Sequence, residues 1–469
     1  MYNGKVCKFG GSSLADADKI KQAAGIILGD DDRRIVVVSA FGGVTNQLIE
    51  LVETQHRNHR VDFQPMQHLE KKLLSISQGL GIDDNTNRFM HDLDTRLREE
   101  YSNPKQHSDN VKAWGEYATG LFMTEYLNKM GANAKFIDSK EMIVVSDDFG
   151  NAIILPESDE KIIAELGNLE EIAVTSGFYG STKNGVIAAL PRGGSDTVGG
   201  KIAGVLRAEI YENFTDVDNI RRVSCIEDAL PIDVMTYDEA MGLSYLGFSV
   251  LKVDAIKPCL EADVPIHVRN TFNPDKEGTW IVKHRKSDDH AITGIAFKPG
   301  YCSLNIRKVL FSRDPNHILA TYLLHTEVGV TSFGEFPIEH APTDVSNISF
   351  IIPQEYFTNM TVNRVTRHLA DYFKIPSDDI TPDYNPISLI SVVGQGMKEK
   401  PGVSARIAGA IALEGVNIKF ITQGASELSI IYGVNETNNE PVNARKAVEA
   451  IYNEFFVEPK IGRALNLVK

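Results

Sequence analysis

Lys8 stands one residue before the turn Gly10-Gly11-Ser12-Ser13, near the end of the strand-like run 5–9 (KVCKF). That order suits a phosphate. Glycines let backbone N–H groups approach oxygen atoms with no Cβ in the way, and an adjacent ammonium offsets negative charge as a phosphoryl group moves. Three more glycine-containing junctions follow, at 39–45 (SAFGGVT), 177–180 (GFYG) and 192–197 (RGGSDT). Each alone is an ordinary turn signal. As a set they carry Lys8, Arg192 and Asp196 to junctions of one kind. A carboxylate such as Asp196 could organise the lysine or hold Mg2+, and it could equally cap a helix.

Such junctions need a scaffold that brings them together. Residues 35–38 (IVVV) form an apolar run without alternation, as expected of a strand covered on both faces. Ile20, Ala24 and Ile27 share one helical face, as do Leu48 and Leu51. Residues 173–175 and 186–190 read as later strands, and the polar stretch 55–112 as peripheral helices. Strands alternating with helices imply an α/β domain over 1–285, with a mostly parallel central sheet sandwiched by helices. In such a sheet the C-terminal strand ends face a common crevice, where helix N-termini bind anions.

The last third reads differently. Strand-like 304–306, helical 318–324, strands at 328–331 and 348–352, and the helical face of Val362, Val365, Leu369 and Phe373 make one βαββα order. The order recurs as strand 387–393, helix 403–411, strands 418–421 and 428–432, and the helical face of Ala444, Val448, Ile451 and Phe455. Two α+β units of ferredoxin-like type are therefore expected, at 292–380 and 381–469. Charged residues around 275–278 and 283–290 mark the handover.

The formal charge of −15 disfavours nucleic acid as a partner. No apolar run approaches membrane-spanning length, and Cys7, Cys225, Cys259 and Cys302 are too scattered for a CxxC motif. A cytoplasmic protein with reduced thiols is the expectation. No Walker A pattern occurs, and Glu399 stands where the third glycine of a dinucleotide fingerprint would follow Gly394 and Gly396. His56 and His59 suggest a solvated face rather than a metal site.

In this order, KFGGSS, VVSAFGGVTN, WGE, SGF, RGGSDT, NFTDVD and VRNTFNP resemble the aspartokinases of the amino-acid kinase superfamily, whose catalytic fold is carbamate kinase-like. The C-terminal VNIKFITQGASELSI resembles the second of their paired ACT regulatory domains. The resemblance implies transfer of the ATP γ-phosphoryl to the side-chain carboxylate of L-aspartate, with Mg2+. It implies that Lys8 and the Gly10-Gly11-Ser12 and Gly193-Gly194-Ser195 backbones hold phosphate, with Asp196 organising Lys8. Arg192 would fork onto the substrate α-carboxylate and Glu116 would pair with its α-ammonium. Ser39, Thr45 and Phe178 would contact the substrate, and Thr215 and Asp216 the nucleotide. An effector amino acid, lysine or threonine, would bind where ACT domains meet across a homodimer or larger homo-oligomer. Ser312 in the first unit, and Asn417, Ile418, Gln423 and Gly424 in the second, match that region.

This chain also departs from the family pattern. Trp114 replaces a histidine, residues 219–225 (NIRRVSC) replace the usual nucleotide-side segment, and Ser249 replaces a lysine. These departures keep two other readings open: an ACT-based amino-acid sensor on a weakened kinase scaffold, and a kinase for a different amino acid.

Overall fold

The computed structural model describes residues 2, 4–58, 61, 63–83, 85–247, 251–286, 290–307, 339–344, 347–357, 359–398, 400–423, 426–438 and 440–465. The helix and strand expected at 318–324 and 328–331 lie outside these residues, as do Ser249, Ser312 and Gly424. By its contacts the chain divides into two units. The first holds residues 1–220, 233–237 and 254–285, and the second holds 221–232, 238–253 and 286–469.

In chain order the strands of the first unit begin with β1 (Lys5–Phe9), β2 (Arg33–Val38), β3 (Ala134–Ile137) and β4 (Ile172–Ser176). Next come β5 (Tyr179–Ser181), β6 (Ile187–Ala189) and β7 (Tyr211–Thr215). The short paired strands β8 (Ile220–Arg221) and β9 (Pro231–Ile232) fall at the start and end of the second unit's 221–232 segment, and β10 (Val234–Thr236), β11 (Ile266–Asn270) and β12 (Thr279–Val282) complete the first unit. The main sheet has eight strands in the order β10-β12-β11-β7-β1-β2-β4-β3, and only the β11–β12 pairing is antiparallel. The unbroken apolar run of β2 is buried from Ile35 to Val38, as a central parallel strand requires. Residues 187–189 do not join this sheet. They fold back on β5 as an antiparallel ribbon, because a connection closed by Thr182 N–H to Val186 C=O is too short for a parallel crossover.

The helices that position the site are α1 (Ala17–Leu28), α2 (Val44–Asn58), α3 (Phe63–Leu80), α4 (Thr86–Arg98) and α5 (Pro104–Lys129). Later come α6 (Ser139–Met142), α7 (Ser158–Leu166) and α8 (Gly194–Leu206). The polar stretch after α2 is less peripheral than its composition suggests. Leu69, Leu73, Ile76, Leu80, Phe89, Leu93 and Leu97 all enter the core that Ile20, Ala24, Ile27, Leu48 and Leu51 help to build. His56 is not on a solvated face either. Its Nε2 lies 2.7 Å from Nδ1 of the buried His107, joining α2 to α5.

Beneath the sheet's central strands sits a closed ion cluster. Glu212 on β7 takes Arg33 at 2.6 and 3.0 Å and Arg269 at 2.9 Å. Burial would raise this carboxyl, but the hydrogen bond and charge of Arg33, joined by Arg269, hold it below the usual range. Both guanidinium groups also lie over the Phe214 ring, which stacks on Phe9 at 4.7 Å. The backbone on either side of Lys8 is thereby fixed.

The second unit carries a six-stranded antiparallel sheet, made of β13 (Gly294–Ile306), β14 (Glu339–Asp344), β15 (Asn347–Pro353), β16 (Ile380–Val393), β17 (Ile418–Gln423) and β18 (Ser429–Asn435). Their order is β14-β15-β13-β16-β18-β17. Two cores line it, and they are nested rather than consecutive. Cys302, Leu304, Ile306, Phe350, Ile352, Val362, Val365, Leu369 and Ile380 form one. Ala291, Ile292 and Ile295 join Ile390, Val392, Ile407, Ile411, Val448 and Ile451 in the other. The long strands β13 and β16 thus serve one core with their first half and another with their second. Segments 221–232 and 238–253 belong to this unit too. Arg222 donates to the Ile292 and Thr293 carbonyls, and Glu239 accepts from Thr293 Oγ1 and the Gln395 N–H at 2.7 Å each.

Candidate active site

The C-terminal ends of β1, β2, β4 and β7 are neighbours in the parallel sheet, so the loops after them share one edge. The register sets Lys8 beside Val37 on one side and Asn213 on the other. Four contacts close the loops into a ring. The Ser39 N–H donates to the Phe9 carbonyl at 3.1 Å, and the Gly177 N–H to the Val38 carbonyl at 2.9 Å. Gly177 packs so tightly on Ser195 that a Cβ there would fall 2.6 Å from the serine's own. Finally, Lys8 Nζ meets Asp196 Oδ1 at 2.5 Å.

Each loop has a local reason for its shape. Gly10 precedes a 3-10 turn over Gly11–Leu14, and a Cβ on Gly11 would come within 2.9 Å of the Ala40 carbonyl. The 39–45 loop is held from two sides. The Phe41 N–H donates to Thr119 Oγ1 at 3.0 Å, and Lys72 Nζ to the Gly42 carbonyl at 2.7 Å. Thr45 lies in the first turn of α2. Phe178 adopts φ 68, the left-handed region that bulky residues avoid, and is held there by the Leu190 N–H on its carbonyl at 2.8 Å. Gly193 reaches φ 91 as the N-cap of α8, whose first N–H groups have no acceptor within the helix. Asp196 in that first turn faces the positive end of the helix dipole.

The lysine–aspartate pair has a third member that sequence reading did not single out. Asn213 Nδ2 donates to Asp196 Oδ1 at 2.8 Å, so one carboxylate oxygen is shared by an ammonium and an amide. Asn213 lies within the NFTDVD motif, but only the strand register reveals that it stands next to Lys8. Lys112 was missed as well. It pairs with Asp109 at 2.8 Å, and its ammonium lies 5.9 Å from the centre of the Phe178 ring.

Glu116 sits on α5, opposite the 39–45 loop, with only 3% of its surface exposed. One carboxylate oxygen accepts the Ala40 N–H, while Oε2 has no partner among the described residues. Burial pushes this carboxyl up to about 8, against smaller opposing effects from the Ala40 hydrogen bond and Lys112. Gly115 makes the close packing possible, since a Cβ there would reach 2.8 Å from that of Ala40. Trp114 faces away from this loop. It is fully buried, and its indole N–H donates to the Phe89 carbonyl on α4 at 3.2 Å. Arg192 stands exposed beside Gly193, with no ion pair among the described residues.

The structure therefore gathers Lys8, Gly10, Gly11, Ser39, Thr45, Glu116, Phe178, Arg192, Gly193, Gly194, Ser195 and Asp196 at one edge of the sheet, on the end of β1, the loops, the first turns of α2 and α8 and the middle of α5. Ser12 is exposed on the same turn, while Ser13 turns inward to meet Thr271 Oγ1 at 2.7 Å. Thr215 ends β7 and donates to the exposed Asp216 at 3.2 Å. Next to them Asp218 is held by Asn270 at 2.6 Å and Asn273 at 3.3 Å. Among the described effector candidates, Asn417 and Ile418 adjoin at the start of β17. Ile418 and Gln423 are the first and last residues of β17, an edge strand, and so lie roughly 17 Å apart.

No group of three or more His, Cys, Asp or Glu side chains among the described residues could hold a metal ion. What this edge offers is a lysine clamped to a carboxylate, a helix N-terminus, a free guanidinium and a buried carboxyl awaiting a cation. That is equipment for bringing two anions together.

Residues 3–270 match the amino acid kinase family, and residues 390–455 match an ACT domain. Aspartokinase 3 of Bacillus subtilis (strain 168) is 34% identical over 463 residues, spanning 96% of this chain and 98% of the relative. The chain belongs to the aspartokinases. Among solved structures, the aspartate kinase of Clostridium acetobutylicum aligns with a TM-score of 0.76 at 30% identity, covering 96% of this chain and 100% of the other. E. coli aspartokinase III, solved with aspartate and ADP, aligns with a TM-score of 0.80 at 21% identity over 97% and 100% of the two chains. That second likeness concerns the fold alone. As an aspartokinase-family enzyme, the chain is an ATP-dependent kinase with a C-terminal ACT domain.

Proposed function

We propose that this chain transfers the γ-phosphoryl group of ATP to the side-chain carboxylate of L-aspartate, giving 4-phospho-L-aspartate and ADP. In this family that product opens the route to lysine, threonine and methionine. The observation that carries the reading is the ring of four loops closed by the 2.5 Å Lys8–Asp196 pair. The nucleophile needs no general base, because a carboxylate with a reference pKa of about 4 is already ionised near neutrality. The protein's task is to align two anions and cancel their repulsion.

In this reading Lys8 balances the charge of the transferring phosphoryl, and Asp196 and Asn213 hold Lys8 in line. The N–H groups at Gly10, Gly11 and Ser12 and at Gly193, Gly194 and Ser195 cradle phosphate oxygens. Arg192, free of other ion pairs among the described residues, forks onto the α-carboxylate. Glu116 takes the α-ammonium, and the Ser39 and Thr45 hydroxyls and Phe178 complete the substrate side. Thr215 and Asp216 meet the nucleotide. Mg2+ fits this donor set as a partner of the ATP phosphates, with Asp196 a carboxylate that could receive it, and it would neutralise phosphate charge.

The regulatory reading takes the two nested halves of residues 292–469 as paired ACT domains that bring subunits together as a homodimer or larger assembly. An end-product amino acid, lysine first, would inhibit there. E. coli aspartokinase III has been solved with lysine and aspartate, which is support by analogy of fold. Free thiols at all four cysteines accord with the cytoplasm.

Trapping the product with hydroxylamine tests the central claim. The full chain with ATP, Mg2+ and L-aspartate should yield the hydroxamate, and L-glutamate should not. No hydroxamate with either acid would favour the sensor reading, and product with glutamate would move the assignment to another amino-acid kinase.

A further inference from the structure

We infer that capture of an α-ammonium group at Glu116 expels the proton of this carboxyl to solvent, so that substrate binding is a proton-releasing step. The inference rests on the aspartate reading above and deepens it. The O–H bond of Glu116 breaks, the proton passes to buffer, and the resulting carboxylate stays paired with the incoming ammonium.

Glu116 lies buried on α5 against the 39–44 loop. It is 3% exposed, one oxygen accepts the Ala40 N–H, and Oε2 has no partner among the described residues. The segment packed across from it, Ser39 to Val44, carries no titratable side chain. Beyond that loop, Lys72 is committed to the Gly42 carbonyl. Among the described residues, the one charged group that reaches Glu116 electrostatically is Lys112, a turn earlier on α5. Lys112 is not free to help. Its ammonium is bonded to Asp109, which is fully buried and also accepts the Gly150 and Ala189 N–H groups at 2.7 and 2.9 Å. A charge in that position, dry and without a counter-ion, is unfavourable, and the neutral carboxyl persists to about pH 8. An ammonium delivered to Oε2 supplies the missing counter-ion, and the carboxyl then ionises.

Linkage gives the sign. Below about pH 8 the proton must leave before the ammonium can pair, so aspartate affinity falls roughly tenfold for each unit of decreasing pH. Titration calorimetry of the full chain with L-aspartate, at saturating ADP and Mg2+, reads this directly. At pH 7 the binding heat should differ between phosphate and Tris buffers by nearly one proton's worth of buffer ionisation, and the difference should vanish toward pH 9. Equal heats in the two buffers at pH 7 would overturn the inference while leaving aspartate binding intact. Absence of any aspartate heat would instead remove the aspartate reading beneath it. In Glu116→Gln, which has no proton to give, the buffer dependence should disappear, and a proton still released by that variant would place its source elsewhere and overturn the assignment.

Discussion

Two regions of this molecule bury carboxylates in opposite ways. Among the described residues of the regulatory unit, Glu454, Glu436 and Glu239 are closed by donors. Glu454 takes Arg406 at 2.8 Å and the backbone N–H groups of Ile461 and Gly462 at 2.9 and 2.8 Å. Glu436 caps the helix Val442–Tyr452 through the Asn443 and Ala444 N–H groups, and Glu239 ties Thr293 to Gln395. At the sheet edge, Glu116 keeps an oxygen empty and Arg192 has no described counter-ion. Closed charges hold a structure, and open ones wait for a ligand. Substitutions should therefore separate the two regions, with those at the sheet edge chiefly changing rates and affinities and those in the regulatory unit destabilising the fold.

The largest effect is expected at Lys8. Lys8→Met removes the cation that balances the phosphoryl group and should lower kcat by about 10^3-fold or more, with unchanged circular dichroism. Residual turnover within tenfold of the parent would mean that the phosphate is held elsewhere. In the other region, Arg406→Met strands Glu454 in the core of the second unit and should cost about 3–5 kcal/mol in denaturant unfolding. Basal turnover at low denaturant should stay near that of the parent, and a kinetic defect without a stability defect would erase the contrast between the regions.

Arg192→Ala should raise the KM for aspartate by about 30–100-fold and change kcat little, as loss of one charged hydrogen-bonding group predicts. An unchanged KM would remove Arg192 from the substrate side. Asn213→Ala should be milder, lowering kcat about tenfold with both KM values nearly unchanged, since it frees Asp196 without removing Lys8. If KM alone moved, Asn213 would be a binding residue rather than one that positions Asp196.

Much of this contrast was legible in the chain itself. The glycine junctions and the apolar run 35–38 pointed to strand ends of a parallel sheet, because burial on both faces leaves a mark that a single sequence shows. Lys8 and Asp196 could be named because they flank those glycines. Asn213 could not, since its neighbour Lys8 is more than two hundred residues away and only strand register joins them. The same holds for Lys112, whose tie to Asp109 is local but whose relevance depends on Glu116 having no other cation. Composition misled at 55–112, where a thin apolar stripe on polar helices still fills a core. The ACT-like repeat was visible as periodicity. Its nesting was not, because a long strand that serves two cores looks like any other apolar run.

The smallest effect is also the one that most sharply distinguishes an open charge from a closed one. Glu116 titrates near 8 in the fold and near 4.5 when unfolded. The fold therefore favours the protonated form, a contribution fully present below about pH 4.5 and lost as pH rises through about 8. Glu116→Gln keeps the neutral shape at every pH. The pKa difference alone allows a gain of up to about 3 kcal/mol at pH 7. The new amide N–H2, buried where Oε2 has no partner among the described residues, offsets about two-thirds of it, for a net gain of about 1 kcal/mol. Chemical denaturation at pH 8 should thus find the variant more stable than the parent, and at pH 5 no more stable. The matching change at a closed carboxylate, Glu454→Gln, should destabilise at both pH values, since Arg406 then loses its counter-ion. Equal responses at the two sites would mean that the vacant oxygen of Glu116 has no energetic meaning.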